Sequence, residues 1–156
     1  GVYLVPAFVC LGAPYCNNEA KACICGMRRN TTKAHIVRAA IESIAYQIKG
    51  LIDLMIGQAG IEMKELRVDG GPTRNDFLMQ FQADILQKPV VRTDIEEISA
   101  LGSAFMAGLA TGFWTDLQEI EKLRIVDKTF HNGMPADEID KLYSGWLLAV
   151  NRTMYK

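Results

Sequence analysis

The chain has 156 residues, of which 49% are hydrophobic and 22% are charged, and its formal net charge is -1. This composition is typical of a globular domain that is long enough to bury a core without a disulfide or a structural metal. The near-zero net charge gives no indication of a strongly basic surface, so we expect neither nucleic acid nor a membrane as a partner. The apolar run at residues 2–13 is too short to span a bilayer and lacks the basic start of a secretory signal, which favours a cytoplasmic location.

The cysteines all lie near the start of the chain, at Cys10, Cys16, Cys23 and Cys25. Their spacing, C-x5-C-x6-C-x-C, does not match the C-x2-4-C pairs of zinc sites. We therefore expect free thiols in a reducing compartment and no metal site. We also expect Cys23 and Cys25 to point to opposite faces of a strand.

The first thirty residues contain several glycines and prolines, which favours short strands and loops. A long helix is predicted next, over about residues 32–55, with a cap at Thr31 or Thr32 and an end at Gly57 or Gly60. The helix is predicted from a stripe of apolar residues at helical spacing, namely Val37, Ile41, Ile44, Ile48, Leu51 and Met55.

Strands and helices alternate in the rest of the chain. Residues 65–69 and 90–93 are predicted strands, and residues 75–87 form a predicted helix between them. A third helix carries the stripe Ile98, Leu101, Phe105 and Leu109. A last helix begins near Pro135 and is expected to bury Ile139, Leu142, Trp146 and Val150. This order predicts an α/β fold with short parallel strands.

The segment Asp69-Gly70-Gly71 lies where the first of these strands ends and a helix is about to begin. Ligands on such sheets bind at the carboxyl ends of the strands, and the N–H groups at a helix start attract anions. Bare backbone at Gly70 and Gly71, with a donor and an acceptor on Asn75, makes a candidate nucleotide-binding site. A simple turn is the alternative interpretation, because Gly-Gly-Pro is common in turns.

Other chemistries have weaker support. No G-K-[ST] loop and no G-x-G-x-x-G motif is present. A dinucleotide or S-adenosylmethionine site remains open, because Asp94 follows the next strand where an acid that binds ribose could lie. The two histidines, His35 and His131, fit no Ser-His-Asp or H-E-x-x-H pattern.

Several longer segments resemble the carboxy-terminal domain of the FGGY carbohydrate kinases. The likeness covers nearly the whole chain, with motifs in the family's order: GVYLVPAFVCLGAPY, ACICGMRRNTTKAHIVRAAIESIAYQ, LRVDGGPTRNDFLMQFQADILQKPVVR and ALGSAFMAGLATGFW. There are departures, since Cys16 stands where members commonly have Trp, and Asn30 where many have Gly.

The resemblance implies a ribonuclease H-like domain of the actin and hexokinase type, incomplete at its N-terminal side. Residues 1–156 would be the nucleotide-binding side of that domain. Gly71 and Asn75 match the family's nucleotide contacts, and Gly70 would shape the turn. ATP and Mg²⁺ are the implied cofactors, and a sugar or polyol the small-molecule substrate.

The family's catalytic Asp and most of its substrate contacts precede the matched region, so no catalytic residue is expected in this chain. The resemblance implies that the intact enzyme is a homo-oligomer. A regulatory or interaction domain that keeps the fold without catalysis is the alternative function.

Overall fold

The computed structural model describes residues 1–94, 98–123 and 126–154, except for the side chain of Ile98. The chain begins with strands β1 and β2, followed by a long helix α1 and a second region of three strands and four helices. In chain order the elements are β1 Tyr3–Val5, β2 Cys23–Cys25, α1 Lys33–Ala59, β3 Leu66–Val68, a 3-10 turn Gly71–Arg74, α2 Asp76–Leu86, β4 Val90–Thr93, α3 Ile98–Ala110, α4 Leu117–Lys122, β5 Val126–Phe130 and α5 Ala136–Met154.

The strands form two small sheets. β1 and β2 pair antiparallel, with Tyr3 opposite Cys25. In the other sheet β4 lies between β3 and β5. β3 and β4 are parallel, as predicted, with Leu66 opposite Val90. β5 pairs antiparallel with β4, with Phe130 opposite Val90, so this sheet is mixed.

The predicted long helix is confirmed, and its ends follow the capping rules. Thr32 is its N-cap, and Gly60 ends it in the left-handed conformation, with φ +63. Of the two predicted ends, Gly57 lies inside the helix and Gly60 is the residue that ends it.

The apolar stripe that predicted α1 is not the buried face of the helix. Val37, Ile44, Leu51 and Met55 are between 41% and 58% exposed. The buried face instead carries small and polar residues together with one aromatic ring: Ala39, Glu42, Ser43, Ala45, Tyr46 and Gly50. Small side chains let the helix approach its neighbours closely, and the aromatic rings of those neighbours supply the buried volume.

The core centres on Tyr46 and Trp146, whose rings stack with centroids 5.2 Å apart and an interplanar angle of 16°. Phe81 of α2 meets Tyr46 edge-on, at 5.4 Å and 90°. Ile139, Trp146 and Val150 are buried, as predicted for the last helix, and Leu142 is half-buried. In the apolar stripe of α3, Leu101, Phe105 and Leu109 are half-buried, and the side chain of Ile98 lies outside the described residues. This core holds α1, α2 and α5 together and leaves the carboxyl ends of β3 and β4 at the surface.

Candidate functional site

The loop from Gly70 to Asn75 joins the carboxyl end of β3 to the start of α2. Gly70 has φ +88 and ψ 169, a backbone conformation that residues with a side chain rarely adopt. The chain then makes the 3-10 turn, with Pro72 near its start. The Thr73 N–H donates to the Gly70 carbonyl at 3.1 Å, and the Thr73 hydroxyl donates to the same oxygen at 2.7 Å. The loop is therefore a folded unit shaped by Gly70.

Gly71 differs from its neighbour. Its φ lies outside the positive range, and a Cβ added there would meet no protein atom within 4 Å. Neither backbone conformation nor protein packing therefore requires a glycine at this position. The open space next to bare backbone fits a ligand that lies against the loop.

Asn75 was expected to be the first residue of the predicted helix. In the structure it precedes the first turn and is the N-cap of α2. Its Oδ1 accepts a hydrogen bond from the Leu78 N–H at 3.1 Å. The expectation that Asn75 offers both a donor and an acceptor to a ligand therefore needs correction. The acceptor is used within the protein, and the Nδ2 group is the part of the amide that can serve a ligand.

A charged network that the sequence did not reveal lies beside this loop. Arg92 of β4 donates from Nη1 to the Thr73 carbonyl at 2.9 Å and to Asp76 Oδ1 at 2.8 Å. Its Nε donates to Asp127 Oδ2 of β5 at 2.6 Å. Lys128 donates from Nζ to Asp76 Oδ2 at 2.6 Å. Hydrogen bonds from Lys128 and Arg92 hold the pKa of the Asp76 carboxyl below its ordinary value.

A shallow cleft of about 210 Å³ opens at the same edge of the sheet. The residues that line it come from the loop after β3 and from β4 and β5 or their ends, namely Gly70, Thr73, Arg74, Arg92, Thr93, Asp94 and Asp127. The structure therefore places Asp94, the candidate ribose acid, on the same cleft as Gly70. Gly71 and Asn75 belong to the adjoining loop and do not line the cleft.

The cysteines lie on β2 and on the segment that precedes it. All four are free, and Cys10 and Cys16 are exposed. The expectation that Cys23 and Cys25 point to opposite faces was wrong, because residues two apart in a strand share a face. Their Sγ atoms lie 3.2 Å apart. The pKa of the Cys23 thiol is raised to about 11, mainly by burial and to a smaller extent by the hydrogen bond to Cys25.

Neither histidine takes part in a recognisable catalytic group. His35 accepts a hydrogen bond from the Thr32 N–H through Nδ1 at 3.1 Å, which helps to cap α1. The His131 carbonyl accepts from Gln80 Nε2 at 2.8 Å. Within residues 1–94, 98–123 and 126–154, no group of three His, Cys, Asp or Glu side chains could hold a metal ion. Among the described helices, none combines the length and the hydropathy needed to span a bilayer.

Comparison with known proteins identifies relatives along nearly the whole chain. A glycerol kinase of Xanthomonas campestris is 51% identical over 99% of this chain, and one of Oceanobacillus iheyensis is 52% identical over 98%. The chain spans 31% of the length of each of these proteins.

Solved structures show the same fold. The structure of Plasmodium falciparum glycerol kinase with ADP matches 99% of the chain with a TM-score of 0.89 and 39% identity, and the chain covers 31% of that protein. A xylulose kinase from Lactobacillus acidophilus matches 97% of the chain, which covers 31% of it, with a TM-score of 0.84 and 24% identity. The expected α/β fold class is thus confirmed. Residues 1–111 also match the C-terminal domain of the FGGY family of carbohydrate kinases, and the chain belongs to that family.

Proposed function

We propose that this chain is the nucleotide-binding, carboxy-terminal part of an ATP-dependent polyol kinase, and that the intact enzyme phosphorylates glycerol. The observation that carries the nucleotide role is Gly71, which has open space around its Cβ position and no structural need to be glycine. The choice of glycerol rests on relatives named glycerol kinase at 51% and 52% identity. The xylulose kinase at 24% identity supports the fold alone.

In this proposal the nucleotide lies against the backbone of Gly71. The Nδ2 group of Asn75 donates a hydrogen bond to it, and Gly70 shapes the turn that presents both residues. The first N–H groups of α2 add a favourable electrostatic environment for a phosphate. ATP supplies the γ-phosphoryl group, which passes to a substrate hydroxyl. The chain itself binds and orients the nucleotide, and the base that deprotonates the hydroxyl belongs to an upstream part of the enzyme.

None of the described residues is proposed as a ligand of Mg²⁺. The described residues contain no cluster of three carboxylate, imidazole or thiolate groups, and Asp127 is already bonded to Arg92. Mg²⁺ that accompanies ATP is usually held by phosphates, water and one or two carboxylates.

The remaining parts of the proposal concern the whole protein. Residues 1–156 form one partial domain of a cytoplasmic enzyme that assembles from identical subunits. The chain alone is expected to bind ATP weakly and to phosphorylate no polyol, because a cleft formed by two domains cannot close around the nucleotide.

The test is phosphorylation by the full-length enzyme, with ATP and a panel of glycerol, xylulose, ribulose, gluconate and fuculose. We expect glycerol to give the highest kcat/KM. A preference for another substrate would replace glycerol and leave the kinase role intact. An enzyme that neither binds ATP nor phosphorylates any substrate would favour a regulatory or interaction domain. Tighter binding of NAD or S-adenosylmethionine than of ATP would favour the site built with Asp94.

A further inference from the structure

Arg92 lies at the carboxyl end of β4, next to the loop that the proposed function assigns to the nucleotide. Its side chain is 16% exposed, which is low for an arginine at the surface. Three of its hydrogen bonds have donor–acceptor distances between 2.6 and 2.9 Å. Each of them goes to a different segment of the chain.

The three acceptors show what Arg92 connects. The Thr73 carbonyl belongs to the 3-10 turn, Asp76 is the first residue of α2, and Asp127 lies on β5. Lys128 reinforces the arrangement, because it bonds the second oxygen of Asp76. Both cations also lie over the ring of Phe130, with Arg92 Cζ at 5.5 Å and Lys128 Nζ at 4.7 Å from its centroid. The guanidinium group thus joins the turn and the start of α2 to the edge of the sheet.

The loop has internal hydrogen bonds that give it shape but do not fix its position on the sheet. Thr73 bonds back to Gly70, and the Asn75 N–H donates to the Pro72 carbonyl at 3.2 Å. All of these groups move together if the loop moves as a unit. The bond from Arg92 to the Thr73 carbonyl is different, because it ties the loop to a strand 19 residues further along the chain.

We propose that Arg92 is a positioning residue for nucleotide binding, which holds the loop Gly70–Asn75 at the end of β3 through the Thr73 carbonyl. This inference rests on the proposed function, since it assigns a role within the same site. The planar fork of arginine is what the role requires. Its Nε and Nη1 donors lie on different nitrogen atoms and reach Asp127 and the Thr73 carbonyl, whereas the three N–H donors of an ammonium share one nitrogen.

Arg92 is poorly suited to contact the phosphates itself. Its Nε and Nη1 groups are already bonded, and two carboxylates, those of Asp76 and Asp127, neutralise its charge. Loss of Arg92 should therefore weaken nucleotide binding by displacing Gly71 and Asn75 and should leave the chemical step nearly unchanged. The predicted signature is a higher KM for ATP at nearly constant kcat.

The experiment compares Arg92→Gln, Arg92→Lys and the control Arg67→Gln in the full-length enzyme. Arg67 lies on the neighbouring strand β3, is 56% exposed and pairs locally with Glu65 at 2.6 Å. For Arg92→Gln we expect the KM for ATP to rise about tenfold, which is the size of one lost charge-assisted hydrogen bond. Arg92→Lys should give a smaller rise, because lysine keeps one of the contacts. The KM for the polyol, and both constants in Arg67→Gln, should stay at the wild-type values.

Asp127→Asn extends the test to a second variant, because it removes one charged anchor of the guanidinium group and leaves Arg92 in place. If Arg92→Gln does not fold, Arg92→Lys and Asp127→Asn must still raise the KM for ATP. Wild-type KM values in these variants would overturn the role of Arg92, and so would a fall in kcat at unchanged KM. A wild-type enzyme that fails to bind ATP would instead overturn the proposed function, and this inference with it.

Discussion

Gly70 and Gly71 are adjacent in the chain, yet only Gly70 has a backbone conformation that requires glycine. Gly70 has φ +88, whereas Gly71 lies outside the positive range. Neither residue has a protein atom within 4 Å of its Cβ position. Substitutions at the two positions therefore separate the need for a turn from the need for ligand space.

We expect Gly71→Val in the full-length enzyme to raise the KM for ATP at least about tenfold, equal to about 1.4 kcal/mol, because the side chain would occupy the nucleotide's space. The KM for the polyol and the unfolding midpoint should change little. Gly70→Ala should instead destabilise the domain by about 1–3 kcal/mol, because φ +88 with ψ 169 is a conformation that is essentially restricted to glycine. Steady-state kinetics and urea unfolding provide both measurements. If Gly71→Val folds and binds ATP like the wild type, the glycine pair is only a turn.

Asn75 caps α2 in this structure and is proposed to donate a hydrogen bond to the nucleotide, and a second pair of substitutions can separate these two roles. Asn75→Ala removes both the cap of α2, which costs about 0.5–2 kcal/mol of stability, and a ligand bond worth about 0.5–1.5 kcal/mol. Asn75→Asp keeps an oxygen that can accept from the Leu78 N–H but lacks the amide donor. We expect Asn75→Asp to unfold like the wild type and to bind ATP several-fold more weakly, as measured by calorimetry. Equal ATP affinity in the two proteins would show that Asn75 is only a cap.

The amino-acid sequence was sufficient to predict those helices and strands in which hydrophobic residues recur at a regular spacing. Helices α1, α2 and α5 and strands β3 and β4 were predicted near their observed positions, because apolar residues recur in them at helical or strand spacing. Strand β5 was missed, since Phe130 is its one buried residue and the segment shows no alternation. Helix α4 has six residues and no buried position, so its period is not visible either.

The buried face of α1 shows a different limit. The apolar stripe that predicted the helix includes Val37 and Ile44, which are exposed, whereas the packed face carries Ala39 and Ser43. Close packing depends on the shape of the neighbouring helix, which the pattern of one helix does not contain. The charged network was hidden for a similar reason. Arg92 and Asp127 are 35 residues apart, and only the antiparallel pairing of β4 and β5 brings them together.

The cysteines are expected to differ in reactivity. The pKa of Cys23 is raised to about 11, first by burial and then by its hydrogen bond to Cys25, so the reactive thiolate is scarce near neutral pH. Cys10 and Cys16 are exposed. The protein is treated with iodoacetamide at mildly alkaline pH, and alkylation is followed by peptide mass spectrometry. Cys10 and Cys16 should be alkylated well before Cys23. Denaturation should make all four thiols titratable, and fewer than four would indicate a disulfide or a bound metal.

The contact between Trp146 and Tyr46 is expected to dominate the stability of the core. Trp146 is 1% exposed and stacks on Tyr46. Trp146→Ala should lower the free energy of unfolding by about 3–5 kcal/mol, because it leaves a large cavity. Leu148, on the same helix but 61% exposed, is the matched control, and Leu148→Ala should change stability by less than about 0.5 kcal/mol. Similar urea midpoints for the two variants would show that α5 packs differently.

The charged network around Asp76 is expected to weaken in acid. The pKa of the Asp76 carboxyl lies below its ordinary value of 3.8, mainly because Lys128 and then Arg92 donate hydrogen bonds to it. A lowered folded-state pKa means that the ionised carboxyl stabilises the fold. This contribution is fully present above the unfolded-state pKa and is lost as the pH falls through the folded-state pKa.

Asp76→Asn should therefore be less stable than the wild type at neutral pH, and the difference should shrink as the pH falls below 3.8. Urea unfolding at a series of pH values measures this difference directly. Asp140→Asn changes an exposed carboxyl on α5 and serves as the control. A difference between wild type and Asp76→Asn that stays constant into strong acid would contradict the network. It would mean that Asp76 contributes through the shape of its side chain and not through its charge.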